Sequence, residues 1–342
     1  MAVPAVQQLA QVISQLPPLD QEFLYRRLER LLQPKLSPQV VVDFREKRFA
    51  NGFSCPHCKG THIHRHGKYK DRWRYRCVDC GKTFNDATAS PLAGSHRDIA
   101  TWLKYAKCMS QGMTIRRSAR EVGVSVPTAF YWRHKILTAL RNLPKPALTG
   151  IVEADETFFL DSQKGSRNLG RSARHSGIKA PLRGISHHQV CVLVARDRQT
   201  STVSEVVGHG RVTAAQIGTA LDGVLHDCVL CTDAASAYRT YANDKQIPLE
   251  ALNARRGVKK RGIYHLGNVN GYHSRLKRWI RPFNGVSTKY LPNYLVWFQR
   301  IDSTNNIPRN VVASRLLDHS HAPMVFTTTK DLGCSCATGN GV

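Results

Sequence analysis

Acid is what this chain lacks most. Its 342 residues carry 24 Asp and Glu against 50 Lys and Arg, a formal net charge of +26 and a pI near 10.1. An imbalance of that size argues against a cationic partner and calls for a polyanion. Long apolar runs are missing too. None approaches the roughly 18 residues that a membrane span needs, so nucleic acid is the expected partner and a membrane is not. The opening MAVPAVQQLAQVIS has neither the charged start nor the continuous apolar centre of a secretory signal, and a cytoplasmic, reducing location is the expectation. No internal repeat is visible, and the length implies two or three domains rather than one core.

Cysteine, by contrast, is present and patterned. Cys55, Cys58, Cys77 and Cys80 form CPHC and CVDC with eighteen residues between the pairs. Two such knuckles at that separation bring four thiolates to the corners of a tetrahedron, the geometry that Zn²⁺ prefers. Two disulfides or four independent core thiols are the alternatives, and disulfides require an oxidising compartment for which nothing else argues. Between the knuckles, HRHGKYKDRWRYR alternates aromatic and basic residues and reads as a strand with a cationic face; Arg74 and Arg76 are its candidate nucleic-acid contacts. Cys191, Cys228 and Cys231 lie in apolar, strand-like runs as expected buried thiols. Cys108 also lies outside the ribbon, and Cys334 and Cys336 in a Gly/Thr-rich tail form no site.

Residues 5–34 carry apolar positions at helical spacing, broken at Pro17 and Pro18, which predicts two amphipathic helices within an N-terminal segment of residues 1–50. The ribbon follows over 51–88. Residues 95–142 read as a helix-turn-helix: a first helix from Ile115 to Val122 with Ala119 inward, a turn at Gly123, and a second helix from Val126 to about Leu140 capped by Ser125. The second helix would present Thr128, Tyr131, Arg133, His134 and Lys135 to phosphates and base edges; an ordinary three-helix bundle with a basic surface is the alternative. LPKPALT at 143–149 is a Pro-rich hinge. Beyond it, GIVEADETFFL, HHQVCVLVARD and STVSEVVG predict three successive strands. VTAAQIGTALDGVL is helical, CVLCTD a short buried strand, AASAYRTYANDK helical, and NVNGYHSRLKRWIRPF opens a further helix. This is a mixed sheet covered by helices over about 150–300. Residues 303–342 lose periodicity and read as a loose tail.

The scarce acids then become informative. Asp155 and Glu153 point to one face of the first strand of that sheet and Glu156 to the other. Asp233 ends CVLC directly before Ala234 and Ala235. Carboxylates at neighbouring strand ends are a common way to hold a divalent cation against phosphate, although either Asp alone also suits a turn, and Asp233 suits a helix cap. Residues 164–188, with Arg171 and Arg174, hold six Lys and Arg and no acid, and residues 255–281 hold nine and no acid. Both stretches are suited to phosphate contact, or else are solvated loops.

The order of zinc ribbon, helix-turn-helix, VEADETFF, CTDAASAY and HLGNVNGYHSRLKRW resembles the bacterial insertion-sequence transposases of the DDE class, in the group with an N-terminal zinc ribbon and a ribonuclease H-like catalytic domain. The resemblance spans about residues 50–300. The ribbon is shared with many proteins; the three later motifs in this order are specific. The resemblance implies a multidomain α/β chain in which Asp155 is the first and Asp233 the second ligand of Mg²⁺ or Mn²⁺. Where the family pattern H-x-x-x-V-E-G-F-x-S-x-L-K has Glu, this chain has Asn270, and Asn or His also stands there in the subgroup. An amide oxygen can ligate Mg²⁺ but brings no charge. Lost activity, a plain helix cap, or ligation by Asn268 are the competing readings at this corner. His265, Arg275, Lys277 and Arg278 are implied as neutralisers of the scissile phosphate, and Glu153 and Glu156 as supporting acids. The implied activity is recognition of terminal inverted repeats in double-stranded DNA by a homodimer or larger assembly, followed by strand cleavage and 3′-OH transfer using two ions. A non-catalytic DNA-binding regulator and a nuclease without strand transfer are the alternatives.

Overall fold

The structure is a computed structural model and describes residues 4–17, 20–21, 23–24, 52–69, 72–166, 168–172, 182, 184–253, 256–304, 307–322, 325–328 and 331–332. The first N-terminal helix, α1, runs Pro4–Ser14. The second expected one falls largely outside the described residues, as do Arg174, Cys334 and Cys336.

β1 (Ile63–Tyr69), β2 (Arg72–Cys77) and β3 (Thr83–Phe84) pair antiparallel into the small ribbon sheet. Period-two alternation decides its faces: Tyr75 and Cys77 turn in, while Arg76 between them turns out. Three helices follow: α2 (Ile99–Ser110), α3 (Ile115–Val122) and α4 (Val126–Arg141). Each starts on a side-chain oxygen that accepts from a first-turn N–H, supplied by Asp98, Thr114 and Ser125. Gly123 ends α3 at φ 74°, a left-handed conformation that a β-carbon would strain. The expected boundaries of both helices, and an inward Ala119, are borne out.

The second half is built on a five-stranded mixed sheet. Its members in chain order are β4 (Leu148–Leu160), β5 (Gln189–Asp197), β6 (Thr202–His209), α5 (Ala214–Leu221), β7 (Leu225–Asp233), α6 (Ser236–Asp244) and β8 (Leu249–Leu252). The strand order is β6-β5-β4-β7-β8; the first three pair antiparallel, and β4, β7 and β8 run parallel. All of the expected strands and helices are present. VCVLVA in β5 is apolar at every position because both its faces are covered. Val152, Ala154, Leu193 and Ala195 face Ile217, Leu221 and Tyr238 of α5 and α6. A hairpin, β9 (Lys260–Arg261) and β10 (Tyr264–His265), leads into α7 (Gly267–Ile280), and α8 (Leu291–Asp302) comes next. Val190, Val192 and Val194 pack on Val269, Tyr272 and Leu276 of α7 and on Leu295 and Phe298 of α8.

The C-terminal stretch departs from expectation. Instead of a loose tail from residue 303, it forms α9 (Arg309–His321), whose Val312, Ala313, Leu316 and Leu317 bury against α2 and α4. Those four residues sit at i, i+1, i+4 and i+5, one apolar stripe in an otherwise polar stretch. They complete the core of Trp102, Tyr105, Met109, Ile136 and Leu137, so the helical half of the molecule closes only with residues from the far end of the chain. No described helix is long and apolar enough to cross a membrane.

Candidate active site and metal centre

Two carboxylates stand side by side at the centre of the sheet. Ala154 of β4 lies opposite Thr232 of the parallel β7, so the next residues, Asp155 and Asp233, are neighbours. Alternation turns both away from the α5/α6 face, since Val152 and Ala154 on β4 and Leu230 on β7 pack there. Backbone N–H groups hold one oxygen of each: Glu156 donates to Asp155 Oδ1 at 2.9 Å and Ala235 to Asp233 Oδ1 at 3.0 Å. Asp233 therefore closes a turn and does not cap α6, whose N-cap is Ala235. Burial, followed by repulsion from Asp233, raises the Asp155 carboxyl to about 6, against the pull of Lys277. Glu156 points to the opposite face, accepts the hydroxyl of Tyr238, and is pushed to about 7 by burial and by both aspartates. Asp155 and Asp233 share one face, each with an oxygen not used by its backbone bond, and such a pair could hold a divalent cation.

Glu153 shares the face of Asp155 but does different work. It is fully buried, and its Oε2 accepts from the N–H groups of Asn268 and Val269 at 2.8 and 3.0 Å while Oε1 accepts from Asn268 Nδ2 at 3.1 Å. These donors open α7, whose N-cap Leu266 offers no side-chain bond. A carboxylate reaching across from the sheet thus satisfies the helix start and its positive dipole end. Arg198 Nη2 pairs with Glu153 at 3.1 Å and Nη1 donates to His265 Nε2 at 2.7 Å, locking the lead-in of the helix to the same acid. Asn268 thus spends its backbone N–H and its Nδ2 on this anchor.

With its start fixed, α7 has a fixed rotation about its axis, and its later side chains take set positions. Asn270 is exposed; His273, nearly one turn on, is buried with Nδ1 3.9 Å from Asp155 Oδ2; Lys277, one turn further, is exposed and its charge reaches Asp155. Spacings of three and four place these residues on one stripe of α7, and its His273 and Lys277 act on Asp155. Burial, followed by Lys277, lowers the His273 imidazole to about 4, so it is neutral near pH 7. Arg278 is exposed on the same helix. Arg275 is not available for phosphate: Nε and Nη2 grip Asp302 at 2.7 and 3.0 Å, and Asp302 also holds Arg196 at 2.9 Å, tying β5, α7 and α8 together.

The four ribbon cysteines converge with all ligand atoms within 4.8 Å of one another, a group that could hold a metal ion. The pairs that approach are Cys55 with Cys80 at 3.7 Å and Cys58 with Cys77 at 3.5 Å, one from each knuckle in both cases. Burial pushes the Cys55 thiol up, but N–H groups of Cys58 and His57 outweigh it and bring the thiol down to about 7. Four sulfurs in tetrahedral reach fit Zn²⁺ better than disulfides, which would pair within contact distance. Arg65 and Lys68 sit 4.9 and 4.5 Å from the Trp73 ring on the strand face, with Arg76 exposed and Arg74 half-buried nearby.

On α4 the expected contact surface is only partly available. Arg133 is buried: Nη2 donates to Met113 O at 2.7 Å and to Ser118 Oγ at 3.2 Å, and the guanidinium lies over Trp297 at 4.6 Å. His134 is buried too, sharing a 2.9 Å bond with Asn293. Lys135 reaches Ala93 O at 3.3 Å. The reason is the same in each case: α8 and the chain around residue 93 cover faces of α4 that a lone helix would leave open. Thr128 and Tyr131 remain partly accessible, and the Thr128 hydroxyl is shared with Ser125 Oγ at 2.8 Å. Arg171 turns back on Ser172 O and Asp161 O, at 2.9 and 3.4 Å. Sequence reasoning missed Arg198 and His273, and it ranked Glu153 only as a supporting acid. Strand parity was the available signal, because it puts Glu153 under the same helix as Asp155.

Residues 147–299 match the ISXO2-like transposase domain. A protein described as uncharacterized, in transposable element ISH50 of Halobacterium salinarum, is 30% identical over 255 residues, covering 74% of this chain and 86% of that protein. Among solved structures, a pre-cleavage Mos1 transpososome aligns over 64% of this chain and 78% of that chain at 14% identity and a TM-score of 0.24, a likeness too slight to bear on the fold. With a relative of this identity and coverage and a transposase-domain match over its second half, the chain belongs to the insertion-sequence transposases of the DDE class.

Proposed function

We propose that the protein is a DNA transposase that binds the terminal inverted repeats of its element and carries out divalent-metal-dependent strand cleavage and 3′-OH transfer on a ribonuclease H-like sheet. The observation that carries this reading is the adjacency of Asp155 and Asp233 beneath the α7 stripe of Asn270, His273 and Lys277. Asp155 and Asp233 would hold Mg²⁺ or Mn²⁺ through their free oxygens, with Asn270 contributing an amide oxygen. A cation bound there neutralises phosphate charge and eases deprotonation of the attacking hydroxyl or water. The chain's own part is positioning: Glu153 fixes the start of α7, α7 presents Asn270 and Lys277 to the scissile phosphate, and Lys277 offsets its charge. Asn270 brings no negative charge, so a phosphate oxygen must complete the site more than it would beside Glu.

The ribbon, holding Zn²⁺ on Cys55, Cys58, Cys77 and Cys80, serves DNA recognition together with the α3–α4 pair as a helix-turn-helix. Arg74, Arg76, Thr128 and Tyr131 are the accessible candidate contacts there, and Lys277 and Arg278 those on α7. Two DNA ends require two catalytic sheets, so a homodimer or larger assembly on DNA is part of this proposal. The test is cleavage and joining of end-sequence duplexes with Mg²⁺ or Mn²⁺, comparing wild type with Asp233→Ala and Asn270→Ala. Binding without cleavage would make the protein a regulator; cleavage without joining would make it a nuclease. Full activity of Asn270→Ala would remove Asn270 from the site.

A further inference from the structure

We propose that the β9–β10 hairpin is a contact for duplex DNA beside the phosphate that is cut, in which Lys259 and Lys260 take backbone phosphates and Ile263 at the tip presses into a base step. This rests on the DNA-cleavage reading above and adds to it a contact apart from the ribbon and the α3–α4 pair.

Strand register fixes where the hairpin stands. Glu153, Cys231 and Glu250 form one row across β4, β7 and β8. Val152, Leu230 and Leu249, which precede them, pack toward α5 and α6, so the row belongs to the face that carries Asp155 and Asp233. The hairpin touches every residue of this row. Arg261 Nη1 pairs with Glu250 at 3.1 Å, the Cys231 thiol reaches His265 O at 3.6 Å, and His265 Nδ1 lies 3.4 Å from Glu153 Oε1. Asp155 and Asp233 come next on the same face of β4 and β7, about 7 Å along the strands. That distance is about two base-pair rises of B-DNA, so a duplex with its scissile phosphate at Asp155 has its neighbouring steps within reach of the hairpin.

The hairpin is clamped at its base and bare at its tip. Arg198, just beyond β5, donates Nη2 to Ile263 O at 3.0 Å and Nη1 to His265 Nε2 at 2.7 Å while pairing with Glu153. Gly262, at φ 57°, lets two residues close the turn. Outside these anchors Lys259, Lys260 and Ile263 are exposed. Neither lysine has an acidic partner among the described residues, and the sequence holds no acid between Glu250 and Asp302. Ile263 is 65% exposed, the most open of the large apolar side chains described. A lone apolar side chain on a surface needs no explanation. Ile263 differs because it rides on a clamped turn among unpaired cations: phosphates draw the lysines onto a duplex, and the branched side chain then meets its base steps. Proteins that bend DNA insert Ile, Leu or Met between base steps in this manner. A cationic, acid-free surround suits that polyanion better than an apolar protein face, and a turn already fixed by Arg198 loses little freedom on binding.

The test is the fluorescence of 2-aminopurine placed in turn at the positions flanking the cleavage site of an end-sequence duplex, bound by the full-length protein. Wild type is expected to raise the signal roughly twofold or more at one of them, because an unstacked base is no longer quenched by its neighbours. The rise should vanish in Ile263→Ser and persist in Ile263→Leu, which separates insertion from damage to the hairpin. Lys259→Gln/Lys260→Gln should weaken binding and make the slope of log K against log salt shallower by about two. A rise unchanged in Ile263→Ser, or no rise at any flanking position in bound wild type, overturns the insertion of Ile263. An unchanged salt slope overturns the phosphate contacts. Either result leaves the DNA reading standing, whereas failure of wild type to bind any end duplex overturns that reading and this inference with it. If both variants bind DNA as wild type does and Ile263→Ser lowers self-association instead, the hairpin serves a second copy of the chain and the DNA assignment is wrong.

Discussion

The ribbon and the sheet both rest on period-two alternation, yet they convert it into stability by opposite means. The ribbon buries little beyond Cys55, Tyr75, Cys77 and Phe84, with Phe53 edge-on to Tyr75 at 4.7 Å. A core of that size cannot hold a fold of some forty residues, and four thiols drawn together without disulfides point to a metal as the missing term. The sheet has two full apolar faces and needs no metal to fold. Its carboxylates are a liability in the absence of a cation, tolerated because the packing around them is strong enough. On the proposed reading metal makes the structure of the ribbon, whereas in the sheet the structure makes the metal site.

The sharpest way to break this contrast is to take metal from both halves at once. Structural zinc contributes on the order of 10 kcal/mol to small domains. Chelation is therefore expected to open residues 52–84 to protease while the sheet keeps its protection from hydrogen exchange. Loss of sheet protection in parallel would mean that the halves are one cooperative unit. Next in size is Asp155→Ala. Strand cleavage should fall by ~10³-fold or more, about 4 kcal/mol in the transition state, while affinity for the end duplex stays within a few-fold. Equal loss of binding and cleavage would place Asp155 in the fold rather than in the chemistry.

Glu153→Ala probes how the sheet aims the helix. It leaves Arg198 and the opening N–H groups of α7 unpaired in a buried place, a change that costs about 3–5 kcal/mol. The expected result is a lower unfolding temperature together with faster exchange at Asn268 and Val269, and lowered cleavage through misplacement of Asn270 and Lys277. Unchanged exchange at those two amides would show that α7 is held by its apolar face alone.

Glu153 also marks the limit of what the sequence discloses. Strands β4 to β6 and helices α3 and α4 were legible because their patterns are local: alternation, a cap at Ser125, and a turn at Gly123. Asp233 stood out because it ends the apolar run CVLC, and Asp155 because strand alternation sets it on one face of VEADETFF; the sheet makes them neighbours. Arg133 was misread as a DNA contact: it turns inward to Met113 and Ser118, and the Trp297 ring that covers it lies more than 160 positions away. α9 was missed for the related reason that its four apolar residues gain their meaning only against α2 and α4. Faces are encoded locally; what covers a face is not.

The smallest effect separates carboxylates that wait for a cation from those built into the fold. Glu156 has its carboxyl raised from 4.5 to about 7, by burial first and then by Asp155 and Asp233. A group whose folded value is raised adds its full stability below the unfolded value and loses it as pH rises through the folded one. Without divalent cation, wild type should therefore weaken relative to Glu156→Gln between about pH 4.5 and 7, then run parallel above. At ~1.4 kcal/mol per unit the gap at pH 8 is on the order of 3 kcal/mol, and glutamine can still accept the Tyr238 hydroxyl through its amide oxygen. His273, held low by burial, works in the opposite direction below about pH 6.5, but it is common to both proteins and drops out of the difference. Urea unfolding of the pair across that range reads the gap directly. Mn²⁺ added at pH 8 should narrow it, because a cation at Asp155 and Asp233 relieves the charge that burdens Glu156. A gap independent of pH and of Mn²⁺ would mean that Glu156 is an ordinary buried acid, uncoupled from the pair across the strand.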